Sequence, residues 1–202
     1  MWYLGIDADA NVTSAEAKVL TDLGFYLANS GWSLRCGGRG VVDDLLLKGA
    51  IKSSLHGCDA SEEPPHEIIL PFSHYRQYND RQPHVINFSG LDQQKINRAV
   101  AQGELNCRQL KIDSPTKRSL LGSAMCLASG INDTDDEQAK FALTLVRHQN
   151  KGEVDPLLYS SHAPLFRLLK SKGIPIFNLF EPSHLNRILG FLQQKQANRL
   201  AS

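Results

Sequence analysis

Residues 32–49 constrain the fold of this chain more than any other segment. They begin as a short apolar run, break at Gly37-Gly38, and continue with the apolar spacing of a helix. A glycine-rich turn between a strand and a helix is where α/β proteins bring their backbone close to a ligand. The N–H groups at the start of such a helix favour an anion. The segment therefore predicts a phosphate or nucleotide site at a strand end, or a tight turn that needs two glycines for its own geometry.

Short apolar runs alternate with helical patterns along most of the chain. The apolar runs at 2–6, 32–36, 66–72, 141–146 and 174–179 predict strands, and the helical patterns cover 17–28, 41–51, 92–101, 115–128, 163–169 and 185–194. Residues 85–88 are too few to assign. The alternation predicts an α/β fold, with a Rossmann-like, mostly parallel sheet and helices on both faces. We expect a single domain over residues 1–194 and a frayed tail over 195–202.

Ligands of such sheets bind outside the carboxyl ends of the strands. We therefore expect the loops that follow the strands to line one rim of the molecule. These loops are residues 7–14, 37–40, 72–81 and 147–162.

Charge and cysteine spacing narrow the function classes. Lys and Arg number 22 against 21 Asp and Glu, so the chain has no general attraction to nucleic acid, although a local basic patch is compatible with this balance. Its four cysteines form no C-x-x-C pair, which argues against a zinc site and favours reduced thiols. We find neither a signal peptide nor a run of roughly 20 apolar residues, so we expect a cytoplasmic protein with no membrane partner.

Three stretches of the sequence together resemble one family. They are Tyr3-Leu4-Gly5-Ile6, then Leu34-Arg35-Cys36-Gly37-Gly38 with Asp43 and Gly49 after it, and finally Ile174-Pro175-Ile176-Phe177-Asn178-Leu179. Their order and spacing are similar to the SLOG superfamily of Rossmann-like domains. That superfamily includes the DNA-processing protein A (DprA) family and the cytokinin-activating LOG enzymes, and the chain is most similar to stand-alone, often phage-encoded, DprA-like proteins. The resemblance implies glycine loops that hold a nucleotide, a nucleotide-derived signal or single-stranded DNA, in a homo-oligomer.

Carried over by position, the resemblance implies pocket residues at Gly5, Arg35, Gly37, Gly38 and Asp43. The two adjacent glycines would permit close backbone approach, and Arg35 near its strand end would pair with a phosphate. Asp43 would accept a hydrogen bond from a ribose or base, or would support the start of its helix.

The chain departs from the family pattern directly after the first strand. The family has Gly-Ser-Arg there, whereas this chain has Asp7-Ala8-Asp9. Two carboxylates repel an anion unless a metal or a cationic group intervenes. Arg39, in the neighbouring loop, is our candidate for replacing the lost positive charge. A divalent cation held by Asp7, Asp9, Asp43 and Asp44 is the alternative to ordinary solvated carboxylates.

A second departure lies before the helix at 163–169. The loop reads Ser160-Ser161-His162, without the glycines and the Glu of the LOG motif Pro-Gly-Gly-x-Gly-Thr-x-x-Glu. The resemblance therefore does not extend to phosphoribohydrolase activity. These three side chains are instead expected to donate hydrogen bonds to a ligand from a helix N-terminus.

Two other segments carry an open choice between ligand contact and surface. Lys117-Arg118-Ser119 falls near an Arg-Asn pair that faces the pocket in the family, so Arg118 is a candidate phosphate contact or a solvated side chain. Residues 73–84 interleave tyrosines with arginines, a pattern suited to stacking on a base or to an ordered surface loop.

These observations support three functional hypotheses, of which we favour the first. It is a binding protein that holds a nucleotide-type small molecule without turnover. Encoded by a phage, such a protein would sequester a nucleotide immune signal. The second is a DprA-like mediator of recombination that binds single-stranded DNA. The third is a hydrolase of an N-glycosidic bond with Asp7 or Asp9 as general base. We assign no catalytic residue, metal or cofactor.

Overall fold

The computed structural model describes residues 1–7, 11–54, 66–79, 81–106, 113–147 and 162–200. Its strands are β1 (Trp2–Ile6), β2 (Ser33–Cys36), β3 (His66–Leu70), β4 (Val85–Asn87), β5 (Ala142–Thr144) and β6 (Ile176–Asn178). Its helices are α1 (Ser14–Asn29), α2 (Val41–Ser54), α3 (Gln93–Asn106), α4 (Pro115–Ser129), α5 (Ala163–Ser171) and α6 (Pro182–Leu200).

The described strands form one sheet in the order β4-β3-β2-β1-β5-β6, and all five neighbouring pairs are parallel. This confirms the predicted α/β fold with a Rossmann-like parallel sheet. The chain leaves β1 toward β2 on one side and later adds β5 on the other side, so the strand order reverses beside β1. Open α/β sheets bind ligands at the carboxyl ends of the strands near such a reversal. We call this end of the sheet the carboxyl edge.

Helices cover both faces of the sheet, as predicted. Leu4 and Ile6 of β1 belong to an apolar core with α3, α4 and α5, whereas Tyr3 between them belongs to a second core with α1, α2 and α6. Successive side chains of a strand point to opposite faces, so a short apolar strand can serve both cores.

The structure differs from the sequence prediction at one strand, β4, and one helix, α6. Residues 85–88 were too few to assign from the sequence. In the structure Val85–Asn87 form β4, because they pair in parallel with β3, with Ile86 opposite Ile69. α6 begins at Pro182 and continues to Leu200, into the segment for which a frayed tail was predicted.

The start of α1 is fixed by a reciprocal cap between Thr13 and Glu16. Thr13 Oγ1 accepts a hydrogen bond from the Glu16 N–H at 3.3 Å, and the Glu16 carboxylate accepts one from the Thr13 N–H at 2.8 Å. Arg147, which follows β5, donates to the same carboxylate at 2.7 Å and to the carbonyl of Asn11 at 3.0 Å. The end of β5 is thereby tied to the segment that leads from β1 into α1.

α1 and α2 cross in close contact at two glycines. A Cβ atom at Gly24 would lie 2.2 Å from the carbonyl oxygen of Leu46, and a Cβ at Gly49 would lie 2.0 Å from that of Thr21. Backbone cannot yield to such overlaps as a flexible side chain does, so only glycine permits this crossing. The crossing fixes the axis of α2 and so positions its first turn at the carboxyl edge.

We expect Gly24→Ala and Gly49→Ala each to lower the free energy of unfolding by about 2 kcal/mol or more, because the added methyl group forces the two helices apart. Gly190→Ala in α6 is the matched control, since its Cβ would meet nothing within 4 Å. Alanine should stabilise that exposed helical position by up to about 1 kcal/mol. Urea denaturation measures all three, and equal stability of Gly24→Ala and Gly190→Ala would contradict the crossing.

Candidate ligand site at the carboxyl edge

One carboxylate joins the ends of two neighbouring strands. Asp43, in the first turn of α2, accepts hydrogen bonds through Oδ2 from the N–H groups of Gly37 at 3.2 Å and Arg39 at 3.0 Å. Its Oδ1 accepts a third from the N–H of Asp7, the residue after β1, at 3.1 Å. Only 1% of Asp43 is exposed. Of its two predicted roles, these bonds support the structural one, in which Asp43 holds the helix start and the glycine turn (residues 37–40).

Asp43 also sets the electrostatics of the glycine turn. Burial, with the nearby Asp7 carboxylate as a smaller cause, raises the pKa of the Asp43 carboxyl to about 7, although the hydrogen bond from the Arg39 N–H acts in the opposite direction. Two N–H groups of the turn that an anionic ligand would otherwise engage are thus already occupied by an internal acceptor. An anion bound here therefore needs a cationic side chain rather than these backbone N–H groups.

Gly38 lies against the aromatic ring of Tyr78. Its φ of +59° lies in the left-handed region, and a Cβ there would sit 2.7 Å from Cδ2 of Tyr78. The Tyr78 hydroxyl donates to Oδ1 of Asp44 at 2.7 Å, and Nη1 of Arg76 donates to the carbonyl of Gly38 at 3.1 Å. The segment after β3 therefore packs against the glycine turn as an ordered loop, one of its two predicted roles.

That loop contains backbone strain. His74 and Arg76 have φ angles of 55° and 57°, a region that side chains with a Cβ rarely adopt. Such conformations persist where the surrounding contacts determine them, and cluster at ligand clamps and active sites. Here the contacts of Arg76 and Tyr78 with the glycine turn hold the loop in place.

Arg39 extends from the glycine turn to α4. Its Nη2 donates to the carbonyl of Leu120 at 2.8 Å and to Oγ of Ser123 at 2.7 Å. Its Nε is buried and has no hydrogen-bond partner in the part of the chain that the structure describes. The guanidinium is therefore oriented by two bonds and retains a donor for a further acceptor.

His162 lies close to Arg39 although the two are far apart in sequence. It precedes α5 and is 8% exposed. Burial, with the positive charge of Arg39 as a second cause, lowers the pKa of His162 to about 3. The imidazole is thus uncharged at neutral pH and carries one donor and one acceptor nitrogen.

Arg35 lies on the other face of the sheet from the helix α2. It is 1% exposed, its Nε pairs with Glu67, and its Nη1 donates to the carbonyl of Glu137 at 2.7 Å. Its guanidinium carbon lies 4.5 Å from the centre of the Trp2 ring. The side chain thus supports the junction of β2, β3 and the loop after α4, in place of the phosphate contact that the resemblance implied.

A sequence signal for this placement of Arg35 was present in the strand periodicity. Leu34 and Cys36 face the core with α1 and α2, so the residue between them must face the opposite core. Glu67 is its register partner on β3. A buried arginine needs an opposite charge beside it, and Glu67 supplies that charge.

The remaining predicted site residues fall into three groups. Gly5 lies beneath the site, where a Cβ would be 3.0 Å from Leu46 and 3.7 Å from Oδ1 of Asp43. Arg118 is exposed in the first turn of α4. Asp9, Ser160 and Ser161 lie outside the described residues.

The structure thus gathers Gly5, Asp7, Gly37, Gly38, Arg39, Asp43 and His162 at the carboxyl edge. Sequence reasoning considered Asp44 only as a ligand of a divalent cation, and it did not assign Ser123, Arg76 or Tyr78 to the site. The last two were in the segment of interleaved tyrosines and arginines, but nothing in the sequence distinguished Ser123 from other helix residues. Among the described residues, no group of three His, Cys, Asp or Glu side chains is arranged to hold a metal ion.

No helix in the described ranges is long and apolar enough to cross a membrane. Comparison with known proteins found no matching protein-family model, no matching curated protein and no matching solved structure.

We expect Asp43→Asn to lower the free energy of unfolding by about 1–3 kcal/mol. The amide keeps one acceptor oxygen but turns an NH2 group toward a backbone N–H donor, which leaves buried donors unsatisfied. Asp22→Asn is the control, because it removes only the exposed ion pair with Lys18 and should change stability by less than about 0.5 kcal/mol. If urea denaturation gave the same value for both variants, the joining role of Asp43 would be wrong.

Proposed function

We propose that this protein binds a nucleotide-type small molecule through a phosphate at the carboxyl edge of its sheet, without turning it over. The observation that carries the proposal is the guanidinium of Arg39. It is oriented by Leu120 and Ser123 through Nη2, and its buried Nε has no partner in the described part of the chain. A planar, permanently charged group with an unused donor suits a phosphate oxygen.

The neighbours of Arg39 support a ligand with both polar and anionic parts. The uncharged imidazole of His162 is able to exchange hydrogen bonds with a base or a hydroxyl. The carboxylate of Asp7 lies against Gly40, where it would accept from a ribose hydroxyl or a base amino group.

The charge balance of the site favours a ligand of low negative charge. The guanidinium of Arg39 lies near the partly ionised carboxyl of Asp43, which in turn lies near the carboxylate of Asp7, so a triphosphate would meet little net attraction. A phosphodiester with a single negative charge, as in a cyclic nucleotide, satisfies Arg39 with less repulsion. This supports the nucleotide signal over nucleoside triphosphates as the ligand class.

Each of the two other hypotheses has one supporting observation. The carboxylate of Asp7, next to the buried Asp43, is the candidate general base of a hydrolase of N-glycosidic bonds. Phe180 is 40% exposed, with the guanidinium of Arg147 5.1 Å from its ring centre, as in a stacking platform for single-stranded DNA. Glu16 neutralises Arg147, however, and the balanced net charge disfavours DNA.

We expect a cyclic mononucleotide or cyclic dinucleotide to raise the melting temperature in a concentration-dependent way, because it binds only the folded state. Arg39→Gln should weaken this binding at least about tenfold, through loss of a charge-assisted hydrogen bond. Arg98→Gln, on α3, is the matched control and should bind as the wild type does.

The same titration distinguishes the alternatives. A thermal shift that Arg39→Gln leaves unchanged would contradict the proposed contact. Salt-sensitive capture of single-stranded DNA, with no shift from any nucleotide, would favour the recombination hypothesis. Cleavage of the added nucleotide would favour the hydrolase.

A further inference from the structure

A second concave surface lies beside the glycine turn. It is a groove of about 500 Å³ between α2 and the loop after β3, which we call the α2 groove. Its apolar side is formed by Leu47, Ile51 and the ring of Tyr78, and its polar side chains include Lys48, Gln77 and Gln82. This volume lies within the range of small-molecule sites, and the groove is shallow and open to solvent.

The α2 groove is separate from the site at the carboxyl edge. None of residues 37–40, nor His162, is among the described residues that line it. The ring of Tyr78 stands between the two, since it lines the groove and also packs against Gly38. A ligand in the groove therefore contacts a different set of side chains from a ligand held by Arg39.

The described lining of the groove has a net positive charge, because it contains two lysines, Lys48 and Lys52, and one acidic residue, Asp44. Asp44, the acidic residue in its described lining, is already engaged, because Oδ1 accepts from the Tyr78 hydroxyl at 2.7 Å and Oδ2 pairs with Arg76 at 3.4 Å. Lys48 lies one helical turn after Asp44 and is exposed. Among the described residues Lys48 forms no ion pair, although oppositely charged side chains four residues apart on a helix often do so. Its ammonium is therefore available to an anion in the groove.

The amide groups add directional hydrogen bonding. Gln77 Nε2 donates to the hydroxyl of Tyr78 at 3.1 Å, which fixes the position of this amide beside the ring. Gln82 Oε1 accepts from the N–H of Asn79 at 3.0 Å, and its NH2 group is the donor that this bond does not use. An ammonium and amide groups are thus presented around an apolar surface.

From this arrangement we infer that the α2 groove is a second ligand site, for a small organic anion with an acidic group on a flat apolar body. The acidic group pairs with Lys48, and the apolar body packs against Ile51 and the ring of Tyr78. The inference goes beyond the proposed nucleotide site, and neither depends on the other.

Phenyl phosphate is a suitable probe, because it joins a phosphate monoester to an aromatic ring. Titration of the ¹⁵N-labelled protein, followed by amide chemical shifts, should move the resonances of residues 47–51 and 77–82. The shifts should extend to Gly38, whose neighbour Tyr78 is a wall of the groove. Inorganic phosphate and benzyl alcohol should each bind more weakly than phenyl phosphate, since each lacks one half of the recognised chemistry.

Lys48→Gln should weaken phenyl phosphate binding about fivefold, and Lys48→Glu more strongly still. Lys95→Gln on α3, where the lysine pairs with Asp92, is the matched control and should bind as the wild type does. The spectra themselves report whether each variant is folded. Arg39→Gln should leave the groove shifts intact, so failure of the nucleotide site and failure of the groove are separate outcomes.

Three results would overturn the inference. They are shifts confined to residues 37–40, equal binding of the Lys48→Gln variant, and equal binding of benzyl alcohol or of inorganic phosphate. The first would assign the anion to the glycine turn, and the others would show that the ammonium or the apolar surface contributes nothing.

Discussion

The carboxyl edge of this protein depends on the three hydrogen bonds that Asp43 accepts. They connect the residue after β1 with the glycine turn after β2, and so hold together two loops that strand pairing alone leaves free. The tight crossing of α1 and α2 at Gly24 and Gly49 places Asp43 where these bonds form. Core packing thus fixes a helix, the helix fixes a carboxylate, and the carboxylate fixes the site.

The same carboxylate determines what the site is able to bind. Because Asp43 occupies N–H groups of the glycine turn, attraction for an anion falls to Arg39, which extends to α4 and lies close to His162. With Asp7 nearby, a single guanidinium balances little negative charge. A glycine turn between a strand and a helix is where α/β proteins often bind phosphates, whereas the charges here would favour, under the proposed function, a ligand with a low charge and several hydrogen-bonding groups.

The sequence predicted the fold well because apolar periodicity and glycines act locally. The turn at Gly37-Gly38 is readable within a few residues, and the order of strands and helices implies a parallel sheet. β4 was not predicted, since three residues form a strand only when a neighbouring strand supplies the ladder. Local patterns contain no information about such a partner.

The site was predictable only in part, for the same reason. The resemblance indicated Asp43, and the lost positive charge in the first loop indicated Arg39, but their partners follow from tertiary contacts. These partners are Asp7, after the neighbouring strand, and Ser123, on a distant helix. Arg35 shows the reverse case, in which a residue that fits a family motif is used by the core. Position in a motif indicates where a residue lies along a strand, whereas the face of the sheet decides what it contacts.

The most direct test of ligand binding at Arg39 is native mass spectrometry of the protein after incubation with a mixture of extracted nucleotides. We expect the wild-type protein to retain a phosphorus-containing compound that is absent from Arg39→Gln, and that fragments on release to a nucleobase. Identical spectra for the two proteins, or a retained compound without phosphate, would contradict the account.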